Sequence, residues 1–288
     1  MTPLLIAAAL LTQTASPSAA ETRTITFSVV DDKGQPVRTL GPDDVAVQEN
    51  GVARELQRLE LDQRPLAVAV LVDSSVAMAS HYRLSVVDAV LQFLLRLPEG
   101  TRYALWTTGD RPSKVYDWGD NRAAAAKALR RVIPQGGNTL LDALVEASRD
   151  LKQREDARSA MVVVTGMGIG FANYDRRQVV DEVAKHPITV LAVEVDEDRS
   201  APPELGSNDH VTGVDYDYVL ANLAKSSGGV RETVLSAMAI ERALHGIAAQ
   251  LTSQYRLTYV TAAPAREAKV EVTVALPGVK VRMGVPQR

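Results

Sequence analysis

The sequence predicts an α/β protein with a doubly wound, mostly parallel sheet, helices on both faces, and a small antiparallel β module made from the two terminal segments. Three features support this: an uninterrupted apolar strand at Leu66–Val72, further strands that alternate with amphipathic helices, and short β segments at both ends. Strands that are apolar throughout are typical of parallel sheets covered on both faces. Alternating strands and helices favour the doubly wound arrangement.

Composition limits the classes of partner. The 288 residues include 32 basic and 35 acidic side chains, for a formal net charge of −3. Such a balance produces no long-range electric field suited to nucleic acid or anionic lipid. We therefore expect no nucleic-acid partner.

The chain has no cysteine, which excludes disulfides and thiol catalysis.

Residues 1–20 have the pattern of a signal peptide. They carry no charged side chain, contain the apolar run Leu4–Leu11, and end in Ser18, Ala19 and Ala20. A small-residue motif after an apolar run predicts cleavage, here before Glu21. The run is shorter than the roughly 20 residues that cross a bilayer. We expect an exported protein, periplasmic or extracellular, with no membrane span after signal removal.

The terminal segments are predicted to pack together as one β module. Residues 21–62 form the N-terminal segment, 63–253 the α/β domain, and 254–288 the C-terminal segment. An Asn50-Gly51 pair predicts a hairpin turn in the first segment. Each segment alone has too few strands for a stable sheet. The predicted strands are Thr24–Val30, Asp44–Glu49, Ala53–Leu61, Tyr255–Val260, Lys269–Ala275 and Val279–Met283.

Hydrophobic spacing places the elements of the α/β domain. The predicted strands are Leu66–Val72, Tyr103–Thr108, Lys114–Trp118, Met161–Thr165, Ile188–Val195 and Val230–Leu235. The predicted helices are Tyr82–Leu97, with Leu84, Val87, Leu91 and Leu94 on its apolar side, and Asn121–Val132, Leu140–Lys152, Asp175–Lys185, Asp217–Ala224 and Ile240–Thr252. The segment Glu197–Asp215 is predicted to be a long polar loop, either a binding element or disordered.

Polar side chains follow several strands where each strand ends. Asp73 and Ser75 come after the first long strand, and Thr139 follows a Gly136-Gly137-Asn138 turn. Loops at the carboxyl ends of such strands carry the ligand sites of doubly wound sheets. Carboxylate and hydroxyl oxygens suit Mg²⁺. A second interpretation is structural: Thr139 caps a helix with Asp142 three residues later, and Asp73 and Ser75 bind loop amides.

Several stretches, in order, resemble a known family: Val29–Val37, Asp43–Gly51, Gly109–Pro112, Gly136–Leu144, Leu223–Gly229 and Gln254–Tyr259. Together they resemble a von Willebrand factor A domain, which has a Rossmann-like fold, and more narrowly a bacterial VWFA-related family. The resemblance implies protein binding at a metal ion-dependent adhesion site. That site has the motif Asp-x-Ser-x-Ser, a Thr on a second loop and an Asp after the fourth strand.

The resemblance also implies that this site is incomplete. Asp73, Ser75 and Thr139 match the family's metal ligands, whereas Ala77 and Gly166 replace a serine and an aspartate. We therefore expect no cofactor, and Mg²⁺ is the one candidate metal. We expect the chain to bind another protein without a metal ion. The loop residues expected to contact it are Ser74, His81, Gly137, Asn138, Met167 and Asp196.

Other functions are considered beside this one. A structural or assembly role would act through the terminal β module. Nucleotide binding would use the Gly166–Gly170 loop, but the spacing G-x-G-x-G departs from the dinucleotide fingerprint. The four histidines share no metal-ligand spacing, and no serine lies in a G-x-S-x-G motif. We therefore do not expect an enzyme.

Overall fold

The computed structural model describes residues 21–154, 157–168, 170–196, 208–261 and 268–284. The predicted signal peptide at 1–20 lies outside these residues, as does the 197–207 part of the predicted polar loop. The remainder of that loop prediction is wrong, because a helix begins at Asn208 and continues to Ser227.

The centre of the molecule is a six-stranded sheet, as the sequence predicts. The strands are β5 (Leu66–Val72), β6 (Arg102–Thr107), β7 (Ser113–Gly119), β8 (Arg158–Gly166), β9 (Ile188–Val195) and β10 (Arg231–Val234). Their order in the sheet is β10-β9-β8-β5-β6-β7, and only the edge pair β6–β7 is antiparallel.

Helices cover both faces of this sheet. Alternate residues along β5 point to opposite sides, so Val68 and Val70 join one core while Ala69 and Leu71 join the other. The helices are α1 (Ala79–His81), α2 (Val87–Arg96), α3 (Arg122–Arg131), α4 (Leu140–Lys152), α5 (Arg176–Ala184), α6 (Asn208–Ser227) and α7 (Ile240–Leu251). The predicted doubly wound arrangement is confirmed.

One predicted helix is interrupted. Between α1 and α2 the chain makes a π-helical turn, Tyr82–Val86. A π turn adds a residue to the helical repeat and so shifts the apolar side. Leu84, predicted to face the core, is 82% exposed, while Tyr82 and Val86 are buried. The predicted apolar position of Leu84 is therefore wrong.

The terminal segments form the predicted joint β module. Its strands are β1 (Thr22–Val30), β2 (Val45–Glu49), β3 (Val52–Arg54), β4 (Leu56–Leu61), β11 (Gln254–Val260), β12 (Val270–Val274) and β13 (Lys280–Met283). They make a four-stranded sheet, β13-β1-β11-β4, and a three-stranded sheet, β12-β2-β3. Phe27, Val47 and Leu257 share one buried cluster between the two sheets. The Asn50-Gly51 turn has positive φ at both residues, as a type I′ hairpin requires.

The module sits at the amino ends of the parallel strands. Both connections between the β module and the α/β domain lie there. Strand β4 leads to β5 through Asp62–Pro65, and α7 leads to β11 through Leu251–Gln254. Arg158, at the start of β8, donates hydrogen bonds to the carbonyl oxygens of Arg64 and Leu251. The opposite, carboxyl edge of the sheet is therefore left free for the loops after β5, β6 and β8.

Candidate functional site

Asp73 lies at the centre of the carboxyl edge, directly after β5. It is 1% exposed. Its Oδ1 accepts a hydrogen bond from the Ser75 amide at 2.8 Å. Its Oδ2 accepts from the Asn138 side-chain amide at 2.8 Å, the Gly166 amide at 3.0 Å and the Thr165 hydroxyl at 3.2 Å. The carboxylate is therefore surrounded by donors from the protein itself.

Asn138 connects the loops around Asp73. Besides Asp73, its Nδ2 reaches the Thr165 hydroxyl at 2.9 Å, and its Oδ1 accepts from the Thr108 hydroxyl at 2.6 Å. Its backbone carbonyl accepts from the Phe171 amide at 2.8 Å and from the Tyr216 hydroxyl at 2.9 Å. The sequence pattern predicted that Asn138 contacts a partner and did not indicate that Asn138 joins the loops around Asp73. The asparagine beside Thr139 was the available signal.

Thr139 and Asp142 do not form the predicted helix cap. The Thr139 hydroxyl donates to the Thr108 carbonyl at 2.7 Å, and α4 begins without a side-chain cap. Asp142 accepts from the backbone and side-chain amides of Asn173, at 2.8 and 2.7 Å. The predicted cap formed by Thr139 is therefore wrong, because both side chains instead fix neighbouring loops.

Close backbone packing joins the first two loops. A Cβ at Gly109 would lie 2.2 Å from the Ser74 carbonyl oxygen, so only glycine fits. The Gly109 amide donates to the Ser74 hydroxyl, and the Asp110 amide donates to the Gly137 carbonyl. Ser74, Gly137 and Asn138 are all buried. In the structure these three residues hold the loops together, and their contact with a partner stays a prediction.

The positions that the resemblance marks as substituted are occupied by apolar packing. A Cβ at Gly166 would lie 2.4 Å from the Met78 sulfur, so Met78 fills the space into which an acidic side chain would project. A Cβ at Gly168 would lie 2.6 Å from the Ala77 Cβ, which shows that the loops after β5 and β8 touch.

A divalent cation needs several free oxygen ligands. Here one carboxylate is present and its oxygens already accept four hydrogen bonds. Of the three predicted ligands, only Ser75 has a buried side-chain oxygen without a hydrogen-bond partner among the described residues, so one free oxygen stands where several are needed. Within the described part of the chain, no three His, Asp or Glu side chains group closely enough to hold a metal ion. As arranged, these residues do not fit the metal that the fold implies.

Burial governs the electrostatics of this centre. Loss of hydration raises the pKa of Asp73, and hydrogen bonds from the Ser75 and Gly166 amides and the Thr165 hydroxyl offset part of that effect. On β9, burial also raises the pKa of Glu194, although an ion pair with Arg231 lowers it in part. Both acids are thus held by internal partners.

Three apolar side chains are exposed at this edge. Val76, in the loop after β5, is 63% exposed, and Met167 and Phe171, in the loop after β8, are 43% and 59% exposed. We call these three residues the apolar rim. His81 and Asp196 are half-buried. Of the predicted partner contacts, Met167 is the one whose side chain projects well into solvent.

The Gly166–Gly170 loop is not arranged to receive a phosphate. A phosphate-binding turn leads directly into a helix N-terminus, whose free amides hold the anion. Here α5 begins only at Arg176, and the Asp175 carboxylate caps it by accepting from the Arg177 and Gln178 amides. The geometry therefore gives no support to nucleotide binding at this loop.

Comparison with known proteins agrees with this fold. Residues 68–169 match the family model of the von Willebrand factor type A domain. This chain contains a von Willebrand factor type A domain. Comparison with curated proteins found no significant match. Domains of this type are, as a class, protein-interaction modules.

Solved structures with the same fold share little sequence with this chain. Proximal thread matrix protein 1 from the mussel byssus, with zinc in its MIDAS motif, has a TM-score of 0.52 at 17% identity, covering 69% of this chain and 48% of that one. The conserved hypothetical protein BatB from Bacteroides thetaiotaomicron has a TM-score of 0.50 at 14% identity, covering 65% and 100%. A von Willebrand factor type A protein from Catenulispora acidiphila has a TM-score of 0.50 at 11% identity, covering 94% and 75%.

None of the helices in the described ranges is long and apolar enough to cross a membrane.

Proposed function

We propose that this protein is an exported, non-enzymatic binding module whose von Willebrand factor A domain holds another protein at the carboxyl edge of its sheet without a metal ion. The observation that carries the proposal is an exposed apolar rim beside a buried polar centre. Asp73 and Asn138 are buried and hydrogen-bonded to each other, whereas the three residues of the apolar rim are exposed. Export is supported by the pattern of residues 1–20.

The apolar rim is suited to contact with a protein surface. Isolated exposed apolar residues are ordinary, but neighbouring ones on loops that touch mark an interaction site. Val76 belongs to the loop whose Ala77 contacts the Gly168 turn, and Met167 precedes that turn. The loops are also fixed, because the Val76 amide donates to the Gly136 carbonyl and the Phe171 amide to the Asn138 carbonyl. Because the backbone of these loops is already ordered, binding would cost little loop-ordering entropy.

Photo-crosslinking tests where the partner binds. Phe171 would be replaced by p-benzoylphenylalanine, and the matched control would carry the same replacement at Leu95 on α2, which is 52% exposed but lies towards the opposite edge of the sheet. We expect a crosslinked partner with the probe at position 171 and none at 95, unchanged by a chelator.

Crosslinks of equal yield at both positions would refute the rim as the binding surface, and loss of the crosslink with chelator would refute metal independence.

Export is tested by sequencing the N-terminus of the chain recovered from periplasm and medium. We expect Glu21 as the first residue, and an intact Met1 would contradict export.

A further inference from the structure

One side-chain amide lies at the centre of this edge. Two oxygens converge on Asn138 Nδ2: Asp73 Oδ2, in the loop after β5, at 2.8 Å, and Thr165 Oγ1, near the end of β8, at 2.9 Å. The Asn138 Oδ1 in turn accepts from Thr108, which follows β6. One side-chain amide thus joins the ends of three strands.

Three of the four hydrogen bonds that this amide can make are formed inside the protein. An asparagine side chain offers two N–H donors and a carbonyl oxygen with two lone pairs. Here the two donors meet Asp73 and Thr165, and the carbonyl oxygen accepts from Thr108, all within a site where Asn138 is 1% exposed. A buried amide with both donors paired is favourable, whereas the same centre with a missing donor is costly.

We propose that the Asn138 side-chain amide is a built-in, uncharged substitute for a divalent cation, so that the loops of the binding edge are permanently organised without metal. An N–H group directed at a carboxylate performs part of a cation's task, because it stabilises the negative charge and fixes its direction. The proposal rests on the metal-independent part of the proposed function. Its test needs no partner, so the two can fail separately.

The replacement Asn138→Asp tests the proposal. It removes both N–H donors and places a second carboxylate against Asp73, so the pair would need a cation to balance it. We expect the melting temperature in chelator to fall by roughly 5–10 °C, as breaking a buried charged network does in a domain of this size. Millimolar Mg²⁺ or Mn²⁺ should restore most of that loss saturably. The wild-type melting temperature should not respond to either ion or to chelator.

Two control variants separate cation replacement from simple structural support. Asn138→Leu has a similar volume without charge, so it should lose stability with no recovery in Mn²⁺. Asn173→Asp creates a carboxylate pair elsewhere, because Asn173 donates to Asp142 at 2.7 Å. It should also be destabilised, without recovery.

Recovery of the Asn173→Asp variant equal to that of Asn138→Asp would overturn the proposal, as would an Asn138→Asp variant indifferent to cations. If Asn138→Asp yields folded protein only when Mn²⁺ is present, the proposal is supported. If it never folds, calorimetric titration of the wild-type protein with Mn²⁺ decides: saturable binding would overturn the proposal, and its absence would support it.

Discussion

Two buried tyrosine hydroxyls differ in whether they are hydrogen-bonded. The Tyr216 hydroxyl donates to the Asn138 carbonyl and so supports the loops at the carboxyl edge of the sheet. The Tyr103 side chain is also buried, but its hydroxyl has no hydrogen-bond partner among the described residues. Burial raises the pKa of Tyr103 to about 12. An unpaired buried hydroxyl costs free energy, whereas a paired one contributes stability.

The replacements Tyr103→Phe and Tyr216→Phe should therefore have opposite effects. Tyr103→Phe should leave the free energy of unfolding unchanged or raise it by up to about 1 kcal/mol, and Tyr216→Phe should lower it by about 1 kcal/mol. Urea denaturation of both variants measures the difference. A larger loss at Tyr103 than at Tyr216 would contradict this assignment.

The residue that meets Asp73 at the carboxyl edge could be predicted from the sequence only to within one position. Asp73 is identifiable because a lone acid follows an entirely apolar strand. The choice between Asn138 and Thr139 is not, because adjacent residues in a tight turn point in different directions. The structure directs Asn138 to Asp73 and Thr139 to the Thr108 carbonyl. The burial of the Ser74 loop also depends on the Gly109 backbone from another strand end, which no local pattern reveals.

At the scale of elements, the end of α6 is fixed by a glycine. Gly228 follows Ser227 with a φ of +68°, a conformation that terminates helices and that glycine adopts without strain. A Cβ there would lie 1.5 Å from the Met283 carbonyl oxygen of β13. The helix end and the β module therefore meet through a backbone contact with no room for a side chain.

Gly228→Ala should consequently destabilise the protein much more than Gly34→Ala. Both glycines have positive φ, but a Cβ at Gly34 meets nothing within 4 Å. We expect a loss of about 1 kcal/mol at Gly34, from strain alone, and more than about 3 kcal/mol at Gly228, where backbone must also shift. Comparison of urea midpoints tests this, and equal losses would contradict the contact.

Element boundaries were predictable where strong signals mark them. The predicted bounds of α4 and β9 match the structure, because glycine turns or polar residues flank a clear apolar repeat. The start of α6 was missed, since the residues after Asn208 lack a helical apolar pattern. The π turn was missed because an inserted residue changes the phase of the repeat without changing its composition.

At the scale of the whole molecule, Asp62 and Arg158 connect the β module to the domain. Asp62 lies between β4 and β5 and forms an ion pair with Arg64, and its carboxylate is 3.8 Å from the Arg158 guanidinium. Burial raises the pKa of Asp62, but hydrogen bonds from Arg64 and the charges of Arg158 and Arg64 outweigh it, so the pKa lies below its ordinary value. An acid with a lowered pKa in the folded state stabilises it when ionised.

Asp62→Asn should therefore lower stability at neutral pH, by about 3 kcal/mol, because it leaves a buried guanidinium without its counter-charge. The stabilisation by Asp62 is present above the unfolded carboxyl pKa and is lost as the pH falls through the folded pKa. Wild type and variant should accordingly converge in strong acid. Urea denaturation across this pH range measures the effect, and a constant difference would contradict it.

The placement of the β module has a practical consequence for work with this molecule. Strand β8 spans Arg158–Gly166, which corresponds to about 30 Å of extended chain between the amino and carboxyl edges of the sheet. A dye, biotin or solid support attached near β1 or β13 would stand a full sheet length from Phe171. Immobilised or labelled protein should thus keep the loops at the carboxyl edge accessible to any protein in solution.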